Sequence, residues 1–221
     1  MQPRSDWDWS VGERIVVEDV TACAQDYQWQ EEFHPSPDGE HVASVVKIED
    51  EFGMCVNGQL WENMFEKIWY PRYSPDGRLS AVVSQDMEWT VAVDGEAWPD
   101  TYEFAWDTRF SADGSAIFAA IKIDGEYGYA KDGQAWETLF ENTNNFSMSA
   151  DGQKSAAVAQ TITIPQADIF TYQSGCFSVA VDGQPWDRNF VSVYTPVFNK
   201  DASQVAAQCR LNLYDYTIVV D

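Results

Sequence analysis

The sequence predicts an all-β fold built from repeated small sheets, and three observations favour it. Two short turn motifs alternate along the chain at a nearly fixed spacing. The segments between the turns alternate apolar and polar residues, which is typical of strands. No window of the sequence has the 3.6-residue period of a long amphipathic helix.

The first motif is a strand followed by a two-residue turn and a tryptophan. Its most regular copy is Val91-Ala92-Val93-Asp94-Gly95-Glu96-Ala97-Trp98. An Asp-Gly or Asn-Gly pair between apolar runs indicates a β-hairpin, because both residues adopt the left-handed conformations that a tight turn needs. The tryptophan follows the turn Asp or Asn by four residues in every copy, at Trp61, Trp98, Trp136 and Trp186.

The second motif is a reversing turn, Ser-Pro-Asp-Gly or Ser-Ala-Asp-Gly. Its turn residues are Asp38 and Gly39, Asp76 and Gly77, Asp113 and Gly114, and Asp151 and Gly152. A weaker fifth copy is Asn199-Lys200-Asp201-Ala202. Each Asp of this motif follows the Asp or Asn of the first motif by 19 residues, so both motifs belong to one repeat of about 38 residues.

Each repeat has room for four short strands, of which the first follows the Ser-x-Asp-Gly turn and the fourth leads into the next one. Complete units are then residues 39–76, 77–113, 114–151 and 152–201. This organisation predicts a β-propeller of about five four-stranded antiparallel blades. Residues 203–221 and 20–38 would together form the last blade, so that N- and C-terminal strands close the ring.

One observation is inconsistent with a count of five blades. Residues 15–19 and 217–221 both have the pattern of the same strand. Either one of these segments is displaced, or the natural protein continues beyond Asp221 and has more blades.

The length, composition and charge of the chain limit the number of domains and the classes of partner that we expect. With 221 residues, of which 45% are hydrophobic, we expect one propeller domain over 1–221, with an N-terminal extension at 1–14. The net charge of −23 disfavours nucleic acid and anionic membranes as partners. We expect a cytoplasmic protein, because neither a signal peptide nor an apolar run long enough to span a membrane is visible.

The turn motifs resemble those of WD40-like, TolB-type β-propeller repeats. An aromatic residue precedes each Ser-x-Asp-Gly turn by a few positions, as at Tyr73, Phe110, Phe146 and Phe198. The resemblance covers nearly all of the chain from about Ile15. It implies a propeller and carries little information about activity, because such folds serve binding, scaffolding and catalysis alike.

The acidic, tryptophan-rich composition also resembles the TmcD family of subunits from the transmembrane electron-transfer complexes of sulfate-reducing bacteria. The residues that carry this resemblance are the repeated Asp-Gly-x-x-Trp segments and Trp7, Trp9, Trp29, Trp69, Trp89 and Trp106. The resemblance implies an accessory subunit on the cytoplasmic side, peripheral to the inner membrane through its partners. Those partners would be a cytochrome c, an iron–sulfur subunit and a membrane cytochrome b.

The repeated residues have a structural and a functional interpretation. One tryptophan per repeat is expected to pack blade against blade, since burying such a ring contributes about 2–3 kcal/mol. The alternative is an aromatic-lined carbohydrate site, as in a lectin-like or carbohydrate-active propeller. The turn aspartates are explained by their place before glycine, so we assign no catalytic residue and expect no enzyme activity.

We predict no cofactor and no metal site. The four cysteines, Cys23, Cys55, Cys176 and Cys209, form no Cys-x-x-Cys pair, and their apolar neighbours favour buried thiols. His34 and His41 flank the first Ser-Pro-Asp-Gly turn and could form a metal clip with Asp38, but surface positions are favoured for both.

The fourth repeat has an insertion of about a dozen residues within 161–175. Asp168 is its only charged residue. Insertions in repeat proteins often lie on the binding face, and a segment with little charge matches the core of an interface. We therefore predict an extended apolar hairpin that contacts a partner through Ile162, Ile164, Ile169, Phe170 and Tyr172, or one that folds over its own blade. Trp7 and Trp9 are further candidate contacts.

Overall fold

The computed structural model describes residues 27–164 and 168–221. These residues form twenty strands and one short helix. The strands build five antiparallel sheets in succession along the chain, each of them four-stranded. The all-β propeller class with about five blades is therefore confirmed by the sheet topology.

The first three sheets have the same strand order. Sheet 1 consists of β1 (Trp29–Pro35), β2 (Val42–Ile48), β3 (Glu51–Val56) and β4 (Gln59–Leu60). Sheet 2 consists of β5 (Lys67–Tyr73), β6 (Leu79–Gln85), β7 (Glu88–Val93) and β8 (Glu96–Ala97). Sheet 3 consists of β9 (Phe104–Phe110), β10 (Ile117–Ile123), β11 (Glu126–Lys131) and β12 (Gln134–Ala135).

The last two sheets depart from this pattern in one element each. Sheet 4 consists of β13 (Thr143–Met148), β14 (Ser155–Gln160), β15 (Phe177–Val181) and β16 (Gln184–Pro185), with α1 (Ile169–Ser174) between β14 and β15. Sheet 5 consists of β17 (Ser192–Val193), β18 (Val197–Phe198), β19 (Val205–Arg210) and β20 (Tyr216–Val220). β17 and β18 pair with successive parts of the same edge of β19, and β20 pairs with its other edge.

The predicted boundaries of the repeats are wrong by one strand. The strand that leads into each Ser-x-Asp-Gly turn pairs with the strand that leaves it, as in Tyr73 opposite Leu79. The turn therefore joins the first two strands of one sheet and does not separate two sheets. Its own backbone closes the hairpin, since the N–H of Ser74 donates to the carbonyl of Arg78 at 2.8 Å.

The predicted composition of the last blade is wrong for β1. This strand pairs with β2 in sheet 1, although residues 20–38 were expected to contribute strands to the last blade. Residues 217–220 lie in β20. If β17 and β18 are counted as one interrupted strand, β20 is the third strand of sheet 5 in chain order. Residues 15–19 and 20–26 lie outside the described residues.

Contacts divide the described chain into two compact units. One comprises residues 27–86 and 92–96, and the other comprises residues 87–91 and 97–221 without the undescribed 165–167. The first unit has its core around Val45, Met54, Trp61, Ile68 and Leu79. The prediction that residues 1–221 form one domain stays a prediction.

The second unit has two main clusters of buried side chains. Phe118, Tyr129 and Phe146 belong to the first, and Val158, Val179, Phe190, Val205 and Cys209 are members of the second. The inner strands are short apolar runs, such as Ile117 to Ile121, because both of their faces are buried.

Candidate functional site

Each sheet has two ends that differ in their connections. The end that carries the Ser-x-Asp-Gly turn and the Asp-Gly turn is called the turn end below. The opposite end, called the hairpin end, carries the connection between the second and third strands. These connections are residues 49–50, 86–87, 124–125, 161–176 and 211–215 in sheets 1 to 5.

The turn end is held by a repeated set of hydrogen bonds. In sheet 3 the hydroxyl of Ser111 donates to Asp113 at 2.7 Å and accepts the N–H of Ala116 at 2.9 Å. The carboxylate of Asp132 accepts the N–H of Ile117 at 2.9 Å, and the N–H of Asp132 donates to the carbonyl of Ile117 at 2.8 Å. These contacts tie both turns of a sheet to the start of its second strand, whether the chain between them is 19 residues, as from Asp113 to Asp132, or 31 residues, as from Asp151 to Asp182.

Hydrogen bonds lower the pKa of the turn aspartates. The serine hydroxyl is the first cause for Asp38, Asp113 and Asp151, and together with the N–H and hydroxyl of Ser115 it lowers the pKa of Asp113 to about 2. The hydroxyl of Ser203 has the same effect on Asp201 in the fifth copy of the turn. These carboxylates therefore stay charged as hydrogen-bond acceptors within their turns.

The repeat tryptophans lie against glycines of the following sheet. A Cβ added at Gly95 would lie 3.2 Å from Cγ of Trp61, and one at Gly133 would lie 3.2 Å from Cγ of Trp98. Gly183 has the same relation to Trp136 at 3.2 Å from its Cβ. Trp186 is half-buried and packs against the core of sheets 4 and 5. The turn glycine thus leaves room for a ring as well as adopting a positive φ.

Sequence reasoning missed a second repeated aromatic residue, four positions after each tryptophan. Phe65, Tyr102, Phe140 and Phe190 form isolated β-bridges with the third strands, at Phe52, Trp89, Tyr127 and Phe177. The N–H of Tyr127 donates to the carbonyl of Phe140 at 2.7 Å, and the reverse bond measures 2.9 Å. The pattern Trp-x-x-x-Phe/Tyr, visible in the sequence, would have revealed it.

The insertion of sheet 4 is a six-residue helix on a narrow base, so the predicted extended hairpin is wrong. At the base, the N–H of Thr161 donates to the carbonyl of Cys176 at 2.9 Å. The helix α1 begins after Asp168, whose carboxylate accepts the N–H of Phe170 and the hydroxyl of Thr171, each at 2.9 Å. The cap explains the single charge of the segment, because an N-terminal Asp satisfies N–H groups that have no partner within the helix.

The structure exposes most of the predicted contact residues of the insertion. Phe170 is 75% exposed, and Ile162 and Ile169 are also exposed. Ile164 is half-buried, and Tyr172 is half-buried against Phe177, with 6.5 Å between the ring centroids. Trp7 and Trp9 lie outside the described residues.

A second exposed apolar group, which sequence reasoning missed, lies at the hairpin end of sheet 5. Tyr214 is 85% exposed, and Leu213 is exposed beside it. The side-chain oxygen of Asn212 accepts the N–H groups of Tyr214 and Asp215 at 2.9 and 3.0 Å, and Arg210 donates to the carbonyl of Leu213 at 2.9 Å. The signal in the sequence is a five-residue connection that contains Leu211, Leu213 and Tyr214, where sheets 1 to 3 have two residues.

A cation lies opposite an aromatic residue at the hairpin end of three sheets. The pairs are Lys47 with Phe52, Lys122 with Tyr127, and Arg210 with Tyr216, at 5.6, 5.9 and 5.8 Å from the ring centroid. In sheet 4 the corresponding residues are Gln160 and Phe177.

The remaining candidate residues form no centre among the described residues. Nowhere in 27–164 and 168–221 do three or more His, Cys, Asp or Glu side chains meet in an arrangement that could hold a metal ion. Nε2 of His34 lies 3.6 Å from Glu32. Cys55, Cys176 and Cys209 are buried free thiols, and Cys23 lies outside the described residues.

No described helix has the length and apolar character that a membrane crossing requires.

Comparisons with known proteins give distant structural likenesses. No protein-family model and no curated protein matches the sequence. The structure is similar to TolB from Acinetobacter baumannii, at 16% identity and a TM-score of 0.38, over 86% of this chain and 51% of that one. It is also similar to the β-propeller domain of the Trilobed protease from Pyrococcus furiosus, at 13% identity and a TM-score of 0.46, over 88% and 69% of the two chains.

The chain spans about half the length of TolB. With TM-scores below 0.5, the fold assignment rests on the sheet topology of the chain itself.

Proposed function

We propose that this protein is a non-catalytic β-propeller scaffold that binds a protein partner through its insertion, residues 161–175. The observation that carries this proposal is the exposure of Phe170 and Ile169 on a helix that is fixed at both ends. The cap at Asp168 orders its start, and the N–H of Gly175 donates to the carbonyl of Tyr172 at 3.1 Å at its end. An ordered apolar surface costs little entropy when a partner covers it.

The charge distribution supports a protein partner over a nucleic acid. The chain has 36 acidic and 13 basic residues, yet the insertion has only Asp168, which its own helix uses. Interface cores are depleted of charge and enriched in aromatic side chains, while their rims are polar. Phe170 is therefore the expected anchor, and the net charge of −23 would favour a basic partner.

We further propose that the protein is an accessory, cytoplasmic-side subunit of a membrane-associated electron-transfer complex. The tryptophan-rich, acidic repeats support this assignment through their resemblance to the TmcD family. In this role the chain binds redox subunits, namely a cytochrome c, an iron–sulfur subunit and a membrane cytochrome b, and holds no redox centre itself.

Shortening the insertion tests both parts of the proposal. Deleting residues 163–174 leaves Ile162 and Gly175 between Thr161 and Cys176, which matches the two-residue connection at 124–125 in sheet 3. The additional change Ile162→Asp gives the shortened connection the Asp-Gly sequence of residues 124–125. We expect the free energy of unfolding to change by less than about 1 kcal/mol, because the deleted helix buries no residue.

The tagged wild-type protein and this variant are then isolated from host membranes, and the co-purifying proteins are quantified by mass spectrometry. We expect the redox subunits with the wild type and a loss of at least tenfold with the deletion and with Phe170→Ser. Met87→Ser is the matched control, since Met87 is 89% exposed at another hairpin end. Unchanged capture by the deletion variant would overturn the role of the insertion. Deletion-sensitive capture of other proteins would overturn the electron-transfer assignment alone.

A further inference from the structure

Sheet 3 has an open cleft at its hairpin end. The cleft has a volume of about 460 Å³ and is lined by Glu103, Phe104, Trp106, Lys122 and Tyr127. This volume lies within the range of small-molecule sites, roughly 300–1,000 Å³. None of its residues belongs to the insertion of sheet 4.

The strand register brings the lining residues together. Lys122 of β10 lies opposite Phe104 of β9 on one side and opposite Tyr127 of β11 on the other. Trp106 is two residues beyond Phe104, so both rings project from the same face of β9. Its cross-strand partner is Ala120, whose small side chain occupies little of the space beside the rings.

The aromatic rings form a supported platform. The rings of Phe104 and Trp106 are stacked at 5.7 Å with an interplanar angle of 26°. Tyr127 meets Trp106 edge-on at 6.1 Å, and the buried Trp89 supports Phe104 edge-on at 5.3 Å. The bridge to Phe140 fixes the backbone of Tyr127.

A charged pair stands at the rim of this platform. Nζ of Lys122 lies 2.8 Å from the carboxylate of Glu103, which also accepts the N–H of Gly125 at 3.2 Å. The pair therefore offers a donor and an acceptor side by side next to apolar ring faces.

We propose that this cleft binds a neutral oligosaccharide. A sugar ring has an apolar face, which would stack on Trp106 and Phe104, and hydroxyl groups along its edge. A hydroxyl both donates and accepts, so one sugar can hydrogen-bond to Glu103 and Lys122 together. An uncharged ligand is also compatible with the net charge of −23.

Other ligand classes match the cleft less well. An anionic ligand would face Glu103 and the charge of the whole chain, and a cationic one would face Lys122. A polyproline segment can use the aromatic rings, but proline has no backbone N–H and cannot donate to the Glu103 carboxylate as a sugar hydroxyl can.

Sheet 4 is covered at the place where sheet 3 has its cleft. At the same place in sheet 4, Phe177 takes the position of Tyr127, and Tyr172 of α1 lies against it. The two-residue connection at 124–125 contributes no such side chain. Equivalent strands are thus covered by the helix in one sheet and open in the other.

Binding of defined hexasaccharides tests the proposal. Maltohexaose, cellohexaose, mannohexaose and chitohexaose are offered to the purified full chain, with binding followed by saturation-transfer NMR and calorimetry. We expect at least one of them to bind in the millimolar range or tighter. Trp106→Ala should weaken that binding at least tenfold, and Lys122→Met should weaken it several-fold.

Trp69→Ala is the matched control, because Trp69 precedes the left-handed Tyr70 of β5 as Trp106 precedes the left-handed Asp107 of β9. It should leave sugar binding unchanged, and circular dichroism should show that all variants are folded. Absence of binding for the whole panel, equal losses with Trp69→Ala and Trp106→Ala, or Trp106-dependent binding of decaproline without sugar binding would each overturn the proposal. Because the protein-partner proposal uses residues 161–175, its failure would leave this result unaffected.

Discussion

The two ends of each sheet use the same strands but obey different constraints. At the turn end, the connections between the first two strands have five or six residues and a left-handed fourth residue, and Trp61, Trp98 and Trp136 each contact the turn of the next repeat. At the hairpin end, the connections range from two residues in sheets 1 to 3 to the long segment of sheet 4. The repeat therefore constrains the turn end for folding and leaves the hairpin end free to vary.

The difference has a physical cause. At the turn end, Asp132 bonds to the start of β10, and Gly133 lies directly against Trp98, so an added residue would break contacts in two sheets. At the hairpin end, Gly125 makes only an exposed hydrogen bond to Glu103, and a Cβ added at Gly125 would meet no atom within 4 Å. Insertions are tolerated where no other element depends on the loop.

Removing a buried tryptophan ring from the turn end should give the largest loss of stability. Trp61 is 9% exposed within the core of its unit, whereas Trp69 is 40% exposed on β5. We expect Trp61→Ala to lower the free energy of unfolding by about 3–5 kcal/mol, because it leaves a cavity beside Gly95. Trp69→Ala should cost less than about 1 kcal/mol. Urea titration followed by circular dichroism measures both values, and equal losses would contradict the contrast between the two positions.

Two glycine substitutions within sheet 3 should give a smaller and more specific difference in the free energy of unfolding. Gly133 and Gly125 have nearly equal φ values, +85° and +84°, so an alanine pays a similar conformational cost of about 1–2 kcal/mol at either position. At Gly133 the new Cβ would also lie 3.2 Å from Cγ of Trp98 and 3.4 Å from Cδ of Pro99. We expect Gly133→Ala to lower the free energy of unfolding by about 1 kcal/mol more than Gly125→Ala.

The same urea titrations report this difference. If both alanines cost the same, the turn glycine is required for its conformation only, and the contact between Trp98 and the turn carries no stability.

The sequence predicted the turn end well because its signals are local. An Asp-Gly pair and a Ser-x-Asp-Gly turn have conformations that their own residues dictate, and their spacing revealed the repeat. The grouping of strands into sheets was wrong because a turn has the same sequence signal whether it joins strands of one sheet or of two. The fourth strand of each of the first four sheets has only two residues, which is too short to show a period.

The hairpin end was predicted poorly because its features depend on distant residues. The six residues of α1 cannot show a helical period, although Asp168 before them is a recognisable cap. The cleft of sheet 3 needs β9, β10 and β11 in register before Trp106, Lys122 and Tyr127 meet. The insertion itself was located from spacing alone, since a repeat makes any added segment visible.

Acid should loosen the turn end, and Asp113 gives the most specific test. Hydrogen bonds from the hydroxyl of Ser111, and then from the N–H and hydroxyl of Ser115, lower the pKa of Asp113 from 3.8 to about 2. Because the native pKa lies below the unfolded value, its contribution to stability is complete above about pH 4 and is lost as the pH falls through about 2. NMR titration of the side-chain carboxyl carbon should show a midpoint near pH 2 in the wild type. Ser111→Ala should raise that midpoint toward 3.8, whereas Ser174→Ala, at the hairpin end of sheet 4, should leave it unchanged.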